Sequence, residues 1–187
     1  MSRPILVISG TNRPQAHALK IANIVLGHYQ DLKVSAELYS LAEMPPEIFH
    51  PSSYAAKPPS FVATQQRVLN AAGLHIVTPE YNGSFPGVMK YFIDMLKFPE
   101  SFEHKPVAFV GEAAGVWGAL RSVEQLQHIF GYRNAYLFPE RVFIPGVLQK
   151  LDADGKLLDP SINERLEKQA RDFAAFTASV SGAAAGH

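Results

Sequence analysis

The chain has 187 residues, of which 47% are hydrophobic and 18% charged, with 17 basic and 17 acidic side chains and no net charge. That length can bury roughly 70% of the unfolded surface in one core without cross-links. Balanced, unclustered charge leaves no basic footprint for a nucleic acid and no polybasic strip for a membrane. The absence of cysteine excludes disulfides, thiolate nucleophiles, zinc knuckles and iron–sulfur clusters and fits a cytoplasmic protein.

Ile5, Leu6, Val7 and Ile8 form a short apolar run stopped by Gly10, which predicts a strand covered on both faces. From Gln15 to Gly27, Leu19, Ala22, Val25 and Leu26 recur at helical spacing, with Gly27 as the expected terminator. Residues 34–41 alternate as a second strand. Pro45, Pro46, Pro51, Pro58 and Pro59 mark 41–60 as a surface excursion unsuited to helix or ladder. Helical spacing returns over 61–72, and 74–77 is a third strand broken by Thr78 and Pro79. Pro86 opens the next helix, with Met89, Phe92, Ile93 and Leu96 on one face.

A fourth strand spans 107–110. A helix over 119–130 ends at Gly131, and 135–138 with 142–144 supply the last strand material. Ser161 and Glu164 read as a capping box for a closing helix striped by Ile162, Leu166, Ala170, Phe173 and Phe176. Residues 181–187, rich in Ala and Gly, read as a frayed tail of a single domain spanning 1–187. Short apolar strands alternating with amphipathic helices argue for a parallel sheet with helices on both faces.

In such a sheet ligands bind at the carboxyl ends of the strands. The loop Ser9 to Pro14 leads small and polar residues into a helix start, where free amides favour an anion and Arg13 adds a charged donor; a phosphate is the natural guest. The plainer reading is a capped turn with a solvated arginine. This loop lacks the spaced glycines of a dinucleotide fingerprint and the lysine of a P-loop. Pro79 to Ser84 carries enough turn chemistry to hold backbone amides in a fixed array. Gly111 to Gly118 places Trp117 between glycines, where a planar ligand could approach; the plainer reading is a core tryptophan.

Pro79-Glu80-Tyr81-Asn82-Gly83-Ser84-Phe85-Pro86-Gly87, with Lys90, Ile93 and Asp94, resembles the signature of the NADPH-dependent FMN reductase family, which includes flavin, quinone, azo-dye and chromate reductases. Gly10 to Pro14 followed by Leu19 to Ala22 resembles its phosphate loop and first helix, and Gly115 to Arg121 its third flavin loop. The resemblance spans residues 4–145. It implies a flavodoxin-like three-layer sandwich, a five-stranded parallel sheet in the order 2-1-3-4-5 with helices on both faces.

The resemblance further implies that Thr11, Arg13 and the amides of Ala16, His17 and Ala18 bind the FMN phosphate. Pro79, Glu80, Tyr81, Asn82 and Gly83 would line the ribityl chain and ring edge, and Glu112, Gly115 and Trp117 the far side, with Tyr81 and Trp117 as walls of the reaction slot. It implies no catalytic side chain and no metal: hydride would pass from NADPH or NADH to FMN and then to a small-molecule acceptor by a ping-pong mechanism. A homodimer or homotetramer is implied, for which residues 87–96, Phe49 and Tyr54 are the interface candidates; intramolecular anchoring is the plainer reading.

One departure from the family stands out. Ala16 and Ala18 occupy positions where the family has side-chain donors to phosphate. At roughly 1.5 to 3 kcal/mol per hydrogen bond to a charged group, two losses weaken FMN binding by several powers of ten unless something compensates, for example a protonated His17. The alternative is therefore a flavodoxin-like binding or interaction module with weakened or lost FMN binding. The seven histidines form no metal or triad pattern, and His75, within a strand, reads as a satisfied near-core residue.

Overall fold

The computed structural model describes residues 3–184. Strands β1 (Ile5–Ser9), β2 (Ala36–Ser40), β3 (Gly73–Pro79), β4 (Pro106–Ala113) and β5 (Tyr136–Pro145) pair in parallel in the order β2-β1-β3-β4-β5. The helices are α1 (His17–Asp31), α2 (Pro59–Asn70), α3 (Gly87–Met95), α4 (Leu120–Tyr132) and α5 (Pro160–Ala184). Every residue of β1 and β3 is buried, as strands inside a doubly covered sheet must be. One face packs Val7, Ala108 and Val110 against Ile21 and Val25 of α1 and Leu166 and Phe173 of α5. The other packs Leu6, Ile76 and Phe109 against Phe61, Phe92, Val123 and Phe130 of α2, α3 and α4. This is the flavodoxin-like sandwich that the sequence implies.

Several boundaries differ from expectation. Helix α1 runs through Gly27 to Asp31: a Cβ at Gly27 would meet nothing, and the buried Tyr29 beyond it holds the last turn to the core. Gly131 likewise lies inside α4. The proline-rich excursion is built from three short 3-10 turns, Leu41–Glu43, Pro46–Phe49 and Pro51–Tyr54; in the last two a proline takes the first position, where no amide donor is needed. Helix α2 starts at Pro59 for the same reason. The expected capping box at Ser161 and Glu164 does not form; Asp159 Oδ1 accepts from the Ser161 and Ile162 amides instead. A capping box does form at Ser40 and Glu43. The last strand is a single one, bulged between the pairings of Leu137 and Arg141. Helix α5 continues through 181–184, into the expected tail, and 185–187 lie outside the described residues.

Phe49 stacks on Tyr91 at 4.9 Å, Tyr54 meets the same ring edge-on at 6.0 Å, and Tyr91 donates to the Ile48 carbonyl at 2.6 Å. These contacts anchor the excursion to α3, although Phe49 and Tyr54 stay 45% and 60% exposed.

Beneath the last turns of α1, His75 is fully buried and fully bonded. Gln169 donates both amide hydrogens, to the carbonyls of Phe109 and Glu140, so its Oε1 must accept from His75 Nε2 at 3.2 Å. His75 Nδ1 therefore accepts from the Tyr29 hydroxyl at 2.8 Å. Burial pushes the imidazole pKa down to about 4, opposed by the Gln169 bond, so the ring is neutral.

Candidate active site

The carboxyl ends of β1, β3, β4 and β5 surround a cavity of about 390 Å³. After β1 the chain turns at once, the Gly10 amide bonding the Val77 carbonyl at 2.8 Å; a Cβ at Gly10 would lie 2.9 Å from that carbonyl oxygen. Thr11 is buried. Its Oγ1 accepts from the Arg13 amide at 3.2 Å and shares a hydrogen bond of 3.2 Å with the Tyr81 hydroxyl. Gln15 adopts a left-handed φ of +54°, and Ala16, in extended conformation, starts α1 with no side-chain cap. The Ala16 carbonyl accepts from Leu19 and Lys20. Of the first-turn amides, those of Leu19 and Lys20 donate to that carbonyl and that of Ala18 bonds Glu112, which leaves the His17 amide to meet an anion at the cavity.

The loop after β3 is held from outside. Tyr81 and Ser84 exchange backbone hydrogen bonds of 2.8 and 3.1 Å around Asn82 and Gly83, both at positive φ, a two-residue hairpin turn. Helix α4 clamps it: Ser122 donates to the Pro79 carbonyl, Gln125 donates to the Gly83 carbonyl and accepts from Ser84, and Arg121 pairs with Glu80 at 3.1 Å. The second oxygen of Glu80 is buried with no partner among the described residues, an acceptor left open beside the cavity.

The loop after β4 spends its glycines on itself. A Cβ at Gly111 would come 2.5 Å from the Gly118 carbonyl, and Gly118, at φ +55°, packs against the backbone of Ile144 and Pro145. Only Gly115 faces open space. Trp117 is 58% exposed, so the core-tryptophan reading is wrong.

Of the residues singled out from sequence, the cavity wall brings together Arg13, Ala16, His17, Pro79, Glu80, Tyr81 and Glu112. Thr11, Ala18, Asn82, Gly83, Gly115 and Trp117 are not in that wall; Thr11 acts on it through Tyr81. The wall also contains Pro14, Gln15, Ala113, Ala114, Val147 and Leu148. The last two follow β5, and the rule that ligands gather at strand carboxyl ends could have found them.

Two titratable groups shape the anion end. Burial, Lys20 and Arg13 hold the His17 imidazole below its usual pKa, so without a ligand it supplies no cation at neutral pH. Glu112 is 5% exposed. Burial pushes its carboxyl up to about 7, opposed by the Ala18 amide that hydrogen-bonds it and by Arg13.

Residues 4–149 match the family of NADPH-dependent FMN reductases. The chain belongs to that family. This reductase is similar to the NADH:(hydroxy)cinnamate reductase subunit CrdA of Vibrio ruber, 27% identical over 92% of the chain and 86% of the relative. It is 31% identical to an NAD(P)H-dependent FMN reductase of Pseudomonas aeruginosa, over 73% of the chain and 75% of the relative. Among solved structures, the flavoenzyme NAD(P)H:(acceptor) oxidoreductase of Paracoccus denitrificans shares the fold, with a TM-score of 0.78, 22% identity and coverage of 95% and 98%. Family membership makes the chain an NAD(P)H-dependent oxidoreductase with FMN as cofactor.

The residues present fit that group. An uncapped helix start with Arg13 suits a phosphate, the clamped Tyr81 turn and the open Glu80 oxygen suit a polar ring edge, and the room at Gly115 suits a flat ring. The carboxyl of Glu112 suits the phosphate only when neutral. Among the described residues no group of three or more metal-ligating side chains could hold a metal ion, and no helix is long and apolar enough to cross a membrane.

Proposed function

We propose that this reductase transfers hydride from NADPH or NADH, by way of FMN, to a small acceptor such as a flavin, quinone, azo compound or metal oxyanion, reductant and acceptor using one slot in turn. The cavity carries this reading: an uncapped helix start and Arg13 at one end, a rigid polar turn at the other. Bound FMN supplies the centre that takes up and returns the hydride.

The protein's own residues position and exclude. Arg13 and the first-turn amides of α1 hold the phosphate by charge-assisted hydrogen bonds. Thr11 fixes the Tyr81 hydroxyl and with it one wall of the slot, so that a nicotinamide and then an acceptor stack in one geometry. Trp117, exposed on the loop after β4 and outside the cavity wall, becomes the second wall and gains burial when a planar substrate enters. The backbone of Pro79 to Gly83, held by Ser122 and Gln125, presents its polar groups without reorganisation.

We take the chain as one cytoplasmic domain that works as a homodimer or homotetramer. Residues 87–96 with the exposed Phe49 and Tyr54 are the surface such an assembly would cover.

The test is to titrate purified protein with FMN and then supply NADPH or NADH and a quinone or azo dye. Uptake of flavin, oxidation of the nicotinamide and parallel double-reciprocal lines are expected. No flavin uptake and no oxidation would leave the alternative of a binding module. Sedimentation velocity checks the assembly, and a monomer with and without flavin removes it.

A further inference from the structure

The anion end of the cavity already contains an anion-forming side chain. We propose that Glu112 is a built-in competitor for the phosphate of FMN, so that FMN enters with uptake of a proton at Glu112 and that residue sets the preference for a phosphorylated over a phosphate-free flavin. This rests on the FMN-binding reading above.

Position is the first reason. Side chains alternate along β4, and Ala108 and Val110 pack on the α1 face. Glu112, two residues on, therefore points to the same face where β4 ends, against the first turn of α1. It lines the cavity with Arg13, Ala16 and His17 and is otherwise enclosed. No side chain among the described residues hydrogen-bonds it; the Ala18 amide does, and that amide is one a phosphate needs.

The second reason is what is absent around it. Ala16 and Ala18 bring methyl groups where donors could stand, and both are buried. A phosphate in this place would meet backbone amides, Arg13 and the Glu112 carboxyl. Two anions cannot share one helix start cheaply, so one of them must hold a proton.

The charged and titratable groups that face Glu112 are few. The β1 loop contributes Arg13, α1 contributes His17, on which Lys20 acts in turn, and the β3 loop contributes Tyr81 and Glu80, the latter paired with Arg121 of α4. Among the described residues the turn after β5 adds the uncharged Val147 and Leu148. Arg13 is the positive charge that holds the Glu112 pKa down, and a dianion would claim it. The burial that raises the carboxyl to about 7 makes the required proton available near neutrality.

The experiment compares wild type with Glu112→Gln by flavin fluorescence quenching from pH 5.5 to 8.5, with FMN and riboflavin as probes. Above pH 8 the variant is expected to bind FMN at least about tenfold more tightly, with the ratio falling to about one below pH 6. The phosphate's own proton, with a pKa of about 6, and His17 affect both proteins and cancel in that ratio. Riboflavin should bind both proteins alike at every pH.

Calorimetry in two buffers at pH 8 should show wild type taking up protons with FMN and the variant taking up fewer. If the variant does not fold, wild type is compared with FMN and riboflavin in the same two buffers. FMN binding to both proteins with one pH profile overturns the proposal and leaves FMN binding intact. An equal gain for riboflavin overturns it in favour of a change in cavity shape. No FMN binding by either protein at any pH overturns both readings.

Discussion

Helix α1 covers two buried polar side chains, one near each end, and they are treated oppositely. Under its last turns His75 has every hydrogen-bonding valence met by Tyr29 and Gln169, and Gln169 in turn satisfies carbonyls on two strands. Under its first turn Glu112 has a backbone amide, a nearby arginine and no side-chain partner. A closed network rigidifies and costs little to keep buried; an open one retains interaction capacity for something that arrives later. The same helix is thus fastened at one end and left receptive at the other.

The strongest way to break this contrast is at the closed end. Gln169→Leu leaves the His75 N–H and the carbonyls of Phe109 and Glu140 unpaired, at roughly 1 to 3 kcal/mol each where buried. A loss of roughly 3 to 4 kcal/mol and a fall of about 10 °C in the unfolding midpoint are expected by calorimetry. Flavin affinity should hardly move, since the cavity is at the other end of α1.

The pH dependence of stability sharpens the contrast, because the two groups have opposite signs. His75 has its folded pKa lowered to about 4, so its stabilisation is present above pH 6.5 and is lost as pH falls from 6.5 toward 4. Glu112 has its folded pKa raised to about 7, so its stabilisation is present below pH 4.5 and is lost as pH rises toward 7. Between pH 4.5 and 6.5 the two slopes cancel. Urea unfolding of wild type should be nearly insensitive to these groups there, whereas Glu112→Gln should gain up to about 1.4 kcal/mol of stability per pH unit from the unmasked histidine. A variant as flat as wild type would contradict the opposed titrations.

At the receptive end the expected effects are smaller. Arg13→Gln should weaken FMN binding roughly tenfold to a hundredfold and leave riboflavin unchanged, as loss of one charge-assisted contact implies. Ala16→Ser should tighten FMN about fivefold to tenfold by adding a donor at the uncapped start of α1, measured by the same titration. The smallest effect is expected at the clamped turn: Gly83→Ala puts a Cβ at φ +76° and should cost about 1 kcal/mol of stability, with no clash because open space surrounds it.

The fold could be read from the sequence to the extent that one periodicity ran without interruption. The apolar runs of β1, β3 and β4 are short, buried on both sides and bounded by glycine or proline, so strand type and position both emerge from local signals. Where two signals competed, tertiary contacts decided. Gly27 looks like a stop, yet burial of Tyr29 carries α1 onward, whereas past Gly131 α4 adds only the exposed Tyr132. Ser161 looks like a cap, yet Asp159 before Pro160 caps the helix two residues earlier, accepting from the Ser161 and Ile162 amides.

The candidate site divides the same way. Arg13 and the Pro79 to Gly83 turn are legible because their chemistry is local. The burial of Glu112 against α1 is not, since nothing in Gly111-Glu112-Ala113 says which helix end will cover it. The core reading of Trp117 fails because Gly118 packs against β5 while Gly115 faces open space, which leaves the indole outside.

The clamp at the far side of the sheet has its own consequence. Lys105, before β4, donates to the carbonyls of Val68, Leu69 and Ala71, and Arg3, before β1, donates to Leu69, Asn70 and Ala71. Two cations, the buried Lys105 and the exposed Arg3, therefore answer the negative end of α2, while the positive end of α1 is left facing water and Glu112. A molecule with equal numbers of positive and negative side chains still has direction: an approaching anion finds one welcoming end, and a cation finds the opposite end already taken.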